Sequence, residues 1–158
     1  MASPSVSERI DFEVPAVYAF DFLADPSTAT VIDPAIREYR PDTEPMGEGT
    51  RTVVRFRMWG LPVRATSVVT DWEPGIRMRM ASEHPARPAQ VIATHRFDTA
   101  GDERCTYTWT IECVPVGRAG HLPARVLARF FRRNATAQQA RFKAEVERRW
   151  RAGRADAG

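Results

Sequence analysis

Polar and apolar residues change their spacing along the chain, and each change marks an element. From Ser5 to Glu13 they alternate, Val6, Ile10 and Phe12 against Ser7, Arg9 and Asp11, which predicts a strand. Pro15 stands at a first helical position, where its missing N–H costs nothing. Ala16 to Ala24 then reads as a short helix with Val17, Phe20, Leu23 and Ala24 toward a core. Asp25-Pro26 repeats the start signal for a second short helix, which stops before Pro34 because the preceding residue is pushed out of the α region. A brief strand at Ile36 to Arg40 and a turn-rich connection at Pro41 to Gly49 follow.

From Arg51 to Val114 the period is two. Thr52, Val54, Phe56 and Met58 alternate with arginines and Val53, and Val63, Ala65, Ser67 and Val69 continue the inner row after a turn at Gly60 to Pro62. Glu73-Pro74-Gly75 is a further turn, followed by Ile76, Met78 and Met80. Beyond the Pro-rich loop at His84 to Pro88 the inner row is Val91, Ala93, His95 and Phe97, and after Ala100 to Asp102 it is Cys105, Tyr107, Trp109, Ile111 and Cys113. Short turns between such strands imply an antiparallel meander with one face covered.

The spacing changes a last time between Leu122 and Trp150. At ~100° per residue, Leu127, Phe131, Ala135, Gln138, Phe142, Val146 and Trp150 share one stripe. Arg125, Arg129, Arg132, Arg133, Lys143 and Arg151 lie opposite, and Leu122, Val126 and Phe130 add a second apolar side to the first turns. The stripe is aromatic at its ends and small or polar at its centre, with Asn134 on its flank. That centre is expected to face something other than packed side chain. One long helix serving about seven strands requires the sheet to curl around it, an α+β helix-grip arrangement. Residues 1–151 are expected to form one domain and 152–158 a frayed tail.

With 158 residues, 43% of them hydrophobic and 27% charged, the chain has the make-up of an ordinary globular domain with a sizeable core. No apolar run nears the ~20 residues that cross a bilayer, and Met1 to Ser7 lacks a signal-peptide pattern, so a cytoplasmic protein is expected. Cys105 and Cys113, roughly 26 Å apart on an extended strand, read as buried free thiols. The net charge of +3 divides unevenly: residues 1–117 hold 12 basic and 17 acidic side chains, residues 118–158 hold 11 and 3. A basic helix surface suits a phosphate, a membrane face or an acidic carrier protein, or is simply solvated. With the aromatics in the apolar stripe rather than among the arginines, nucleic acid is not an expected partner.

Order and motifs together resemble the START-like superfamily of helix-grip domains (the Bet v 1-like or SRPBCC group), closest to its bacterial polyketide cyclase/dehydrase-like branch. The matching stretches are Val14-Pro15-Ala16 with Phe20, Leu23-Ala24-Asp25-Pro26, Gly47-Glu48-Gly49-Thr50, and Val69 with Trp72-Glu73-Pro74. His95-Arg96-Phe97, Tyr107-Thr108-Trp109 and Arg141-Phe142-Lys143 with Glu147 continue the match. Ile32-Asp33-Pro34 departs from the family's usual Trp-Pro, which alters the entrance. The resemblance implies a deep cavity between sheet and helix that binds lipids, sterols, hormones or polyketides, in some members with cyclisation.

His95 and Tyr107 point inward by alternation and are the candidate catalytic pair, an imidazole to shuttle a proton and a phenol to bond a carbonyl or enolate oxygen. Equally, His95 reads as a core histidine bonded to a tyrosine or a backbone carbonyl, and Tyr107 as a core aromatic whose hydroxyl a neighbour satisfies. Phe56, Met58, Met78, Met80, Phe97 and Trp109 form a pliable apolar wall, with Phe131, Asn134, Ala135, Gln138 and Phe142 facing it from the helix. Glu83 and His84 are placed at the mouth or on the surface, Asp33 at a helix end, and Arg55, Arg57, Arg64, Arg77, Arg79 and Arg96 on the convex side. No metal-ligand spacing, nucleotide loop or Gly-x-Ser-x-Gly elbow is present, so cofactor-free and metal-free acid–base chemistry is expected. The expected function is a polyketide cyclase or dehydratase, with non-catalytic binding or transport of a lipid or isoprenoid as the alternative and an adaptor role third. Expected partners are the apolar small molecule, an acidic carrier protein and a second copy of the chain.

Overall fold

A computed structural model describes residues 2–83 and 88–158. Strand β1 (Ser5–Phe12) leads into helix α1 (Ala16–Ala24), a 3-10 turn (Pro26–Thr28) and helix α2 (Ala29–Ile32). Six strands follow: β2 (Ile36–Pro41), β3 (Arg51–Met58), β4 (Leu61–Glu73), β5 (Arg77–Ser82), β6 (Ala89–Thr99) and β7 (Cys105–Pro115). A second 3-10 turn (Arg118–Gly120) opens helix α3 (His121–Asp156). The strands form one antiparallel sheet ordered β1-β7-β6-β5-β4-β3-β2, so a plain meander is closed by β1 returning to pair with β7.

Helix α3 lies across β1, β7 and β6, and α2 packs against its flank. Its contact with β1 extends to the strand's free edge. Arg132 donates to the Ser5 carbonyl at 3.3 Å and Lys143 to the Asp11 carbonyl at 2.6 Å, while Glu147 accepts the Glu13 backbone N–H at 2.9 Å. These bonds satisfy backbone groups that would otherwise leave an edge open to another chain. Two residues on the basic side of the helix thus bond the β1 edge. At its start, a Cβ on Gly120 would stand 2.4 Å from the Pro88 carbonyl oxygen. Only glycine lets the helix begin so close to the β6 and β7 ends.

The helix continues through Asp156, past the point where a frayed tail was expected. Arg154 stabilises this last turn by an ion pair with Glu103 at 2.7 Å and by stacking over Trp150. In α1 the buried face is Ala16, Ala19, Phe20 and Phe22; Val17, expected inward, is exposed. Both cysteines are buried and free. Burial pushes their thiols up to about 11, so neither is a nucleophile at neutral pH.

The aromatic part of the core lies at one end, where β1 finishes and β7 begins, while Val6, Ile111, Cys113, Ala124 and Ala128 continue the buried core toward the other. Phe142 stacks on Phe22 (5.6 Å between centroids) and meets Phe12 (4.9 Å) and Tyr107 (5.1 Å) edge-on. Phe97 lies against Tyr107 at 4.9 Å and Phe20 bridges to Phe97 and Trp72. This is the closed end of the grip.

Candidate functional site

Antiparallel register decides which side chains share the concave face, since directly opposed residues point the same way. One row crosses β1, β7, β6 and β5 as Glu8, Trp109, His95 and Met78. The neighbouring row toward the closed end is Ile10, Tyr107 and Phe97. Beyond Met78 the inner face continues through Met80 and Val69, then Ala65 with Val54 and Val63 with Phe56.

Accessibility divides this face in two. Met78, Phe97, Tyr107 and Trp109 are buried, as are Ala135 and Phe142 on the helix. Phe56, Met58, Met80, Val91, Ala93 and His95, with Leu127, Phe131 and Gln138 across from them, keep solvent-accessible surface although they point inward. The wall expected from sequence is therefore split: its deeper members are packed core, and its outer members line an open half of the grip. Asn134 belongs to neither. It is exposed, and its Nδ2 donates to the Phe130 carbonyl one turn back at 2.8 Å, the local bond short amides make in helices.

His95 stands on the dividing line. Its Nδ1 is 2.7 Å from the Tyr107 hydroxyl, and the two rings are nearly parallel (11°). Desolvation pulls the imidazole down to about 4 and pushes the phenol well above 10, so both are neutral near pH 7. Hydrogen counting then assigns the tautomer. Among the described residues the buried Tyr107 O–H has one acceptor, the Nδ1 lone pair. Were Nδ1 the donor, the phenolic proton would be stranded in the core, which costs more than an unused lone pair. Tyr107 therefore donates, and His95 carries its proton on Nε2. No described residue bonds Nε2, and the side chain retains accessible surface. The arrangement is a neutral imidazole whose ring is held by Tyr107 and whose Nε2–H has no partner among the described residues.

Tyr39 was not singled out by the sequence. It faces inward from β2, its hydroxyl 3.8 Å from the Met80 sulfur three strands away around the curl, and burial pushes its phenol up to about 12. A register shift between Ile36 and Glu38 reverses the alternation and turns Tyr39 to the concave face. Trp72 is brought inward by a similar shift between Val69 and Asp71. Gln139 was also missed: it is buried, unlike its half-exposed neighbour Gln138, and its Oε1 has no partner among the described residues. Glu8, inward on the edge strand, accepts from Thr136 at 3.4 Å.

Other expected positions are peripheral. Asp33 accepts the Ala35 N–H at 2.9 Å at the end of α2, and burial raises its carboxyl against the opposing pull of that bond and of Arg141. Glu83 pairs with Arg51 at 2.7 Å, and His84 lies outside the described residues. Of the convex arginines, Arg55, Arg77 and Arg96 have carboxylate partners within 4.0 Å. A surface groove of about 680 Å³ at Glu13, Arg104 and Trp150 and another of about 280 Å³ at Asp25, Met46 and Trp72 lie away from His95. Among the described residues no cluster suits a metal ion and no helix is long and apolar enough to cross a membrane.

A family model described as polyketide cyclase / dehydrase and lipid transport matches residues 3–147. No curated protein sequence matches the chain. Among solved structures it is similar to the Zhui aromatase/cyclase from Streptomyces sp. R1128, at 23% identity and a TM-score of 0.78 over 94% of this chain and 96% of that one. The di-domain ARO/CYC StfQ of the steffimycin biosynthetic pathway matches at 11% identity and a TM-score of 0.74, over 94% of this chain and 52% of its own. A START superfamily protein from Mycobacterium smegmatis matches at 9% identity and 0.69, over 91% and 97%. At these identities the likeness is one of fold.

Proposed function

The chain belongs to the polyketide cyclase/dehydrase and lipid transport family, and from that premise we propose that it binds a polyketide-like chain in the open half of the grip and cyclises or dehydrates it without a cofactor. The observation that carries this reading is the oriented N–H of His95, at the boundary between packed core and accessible apolar wall. A carbonyl oxygen held by Nε2–H becomes more electrophilic, and the enolate or alkoxide oxygen that develops on carbon–carbon bond formation is stabilised by the same bond. The role is that of a fixed donor. Complete proton transfer from Nε2 would leave Nδ1 to take the Tyr107 proton and create a buried phenolate, which desolvation opposes. Tyr107 is thus a positioning residue, and Gln138, half-exposed on the helix, is the second polar group available to an oxygen of the guest.

Phe56, Met58, Met80 and Phe131 supply apolar surface that excludes water and holds the chain folded. Chains of this kind travel as thioesters on acidic carrier proteins. The non-catalytic alternative, binding or transport of an apolar molecule, is favoured by one feature: the His95–Tyr107 pair is also a satisfied core pair.

Substitution separates the two readings. With a thioester-linked poly-β-ketone analogue, His95→Gln lowers turnover about 10²- to 10³-fold, the usual effect of losing one oxyanion donor, while affinity changes only a few-fold. Tyr107→Phe lowers turnover less, because the imidazole can then adopt either tautomer. Unchanged turnover in both variants would remove the catalytic reading; affinity without product from the parent protein would establish the carrier.

A further inference from the structure

We infer that the open end of the grip docks on an anionic phospholipid surface, with Trp59, Leu61, Leu122 and Val126 entering the headgroup region and Arg125, Arg129 and Arg133 on lipid phosphates. Chain topology brings these residues together. The β3–β4 turn, the β7–α3 junction and the first turns of α3 all lie at this end, and Trp59 meets Phe130 of the helix edge-on at 5.5 Å.

The exposure of these side chains is unusual. Leu122 is 71% exposed, Leu61 67%, Trp59 54% and Val126 40%. Five of the seven large exposed hydrophobic residues among the described residues gather here, Val116 being the fifth. Val17 and Ile76, at the far end, are the others. Such a concentration on one end marks an interaction surface.

Charge selects the partner. From His121 to Ala144 the helix contains no acidic residue. Among the described residues Arg118, Arg125, Arg129 and Arg133 make no ion pair, whereas Glu145 and Glu147 further along the helix each hold arginine or lysine. On the helical wheel Leu122, Val126, Arg129 and Arg133 share the side away from the core and Arg125 lies on its flank, so basic and apolar groups are interleaved there. Arginines beside a protruding tryptophan and leucines fit the interface of a charged bilayer, where phosphates take the guanidiniums and the aromatic ring sits at headgroup depth. The apolar groups project from a hairpin tip and a helix crest. A fluid bilayer accepts such convex points, whereas a protein partner would need matching pockets. Docked this way, the open half faces the lipid, and an apolar guest can pass without crossing water whether or not it is then turned over.

The test is sedimentation of the full chain with vesicles of phosphatidylglycerol and phosphatidylcholine, against phosphatidylcholine alone. Binding to the mixed vesicles only is expected, weakening as salt rises. Each arginine is worth roughly fivefold near such a surface, so R125E/R129E/R133E lowers binding about a hundredfold or more. W59S/L61S lowers it at least tenfold; the charge-reversed variant melts at the parent temperature because its three arginines are exposed, and W59S/L61S, which loses the edge-on contact with Phe130, melts a few degrees lower but remains folded at the assay temperature. Tryptophan emission of the parent shifts to the blue on binding, a shift that W59F removes. Equal recovery from neutral and mixed vesicles, no recovery from either, parental binding by the charge-reversed variant, or capture of an acidic carrier protein without vesicle binding would overturn the inference.

Discussion

The two ends of the space between sheet and helix are built from similar residues and behave differently. At the closed end Phe12, Phe97, Tyr107 and Phe142 touch one another and are sealed. Toward the open end Phe56, Met58, Met80 and Phe131 also point inward, yet solvent reaches them. The difference lies in what stands opposite. Helix α3 lies on β1, β7 and β6, and the remaining strands curl past it without being covered. Aromatic content therefore does not distinguish core from binding wall; the position of the helix does.

Truncation at the closed end gives the largest effect that tests this contrast. Phe142→Ala is expected to cost about 3–5 kcal/mol in urea unfolding, the range for a sealed phenylalanine. Phe131→Ala, in the open half, costs much less stability and instead weakens guest binding. Equal losses would erase the distinction between the two ends. Glu147→Ala comes next: it leaves the Glu13 N–H without its acceptor and Lys143 with only the Asp11 carbonyl, a loss of about 2 kcal/mol. If its midpoint is unchanged, the helix does not hold the β1 edge as described.

The pH dependence of stability probes the boundary. His95 titrates near 4 when folded and near 6.5 when unfolded, so between these values the unfolded chain binds more protons. The His95 contribution is complete above about 6.5 and is lost as pH falls toward 4. His95→Gln removes that part of the slope, and an identical slope in the variant would mean the imidazole is not desolvated. Smallest is Gln139→Leu, which deletes the sealed, unpartnered Oε1. It is expected to raise stability by up to about 1 kcal/mol, and a marked loss would show that the amide has a partner in solution.

Much of the fold was legible because alternation survives burial on one face. His95, Tyr107 and Trp109 were placed inward by counting in twos, and the register confirms their facing. Counting fails where the ladder slips, and the shifts at Ile36/Glu38 and Val69/Asp71 hid Tyr39 and Trp72. Helical spacing resolved the stripe of α3 but not the choice between adjacent glutamines. Gln138 and Gln139 lie on either side of the stripe, and which is buried depends on where β1 and β7 meet the helix. The division into closed and open ends was not legible either, since Met78 and Met80 share a strand, a face and a residue type, yet only Met78 is sealed.

The most direct test of the two-ended grip is a nuclear magnetic resonance titration of the labelled protein with a naphthol, a planar apolar guest bearing one oxygen. Shifts confined to Met58, Met80, Phe131, Gln138 and the His95 side chain, with the His95 Nε2 carrying the proton throughout, are the predicted result. Shifts centred on Phe12, Phe97 and Phe142, or an Nδ1-protonated His95, would contradict the account.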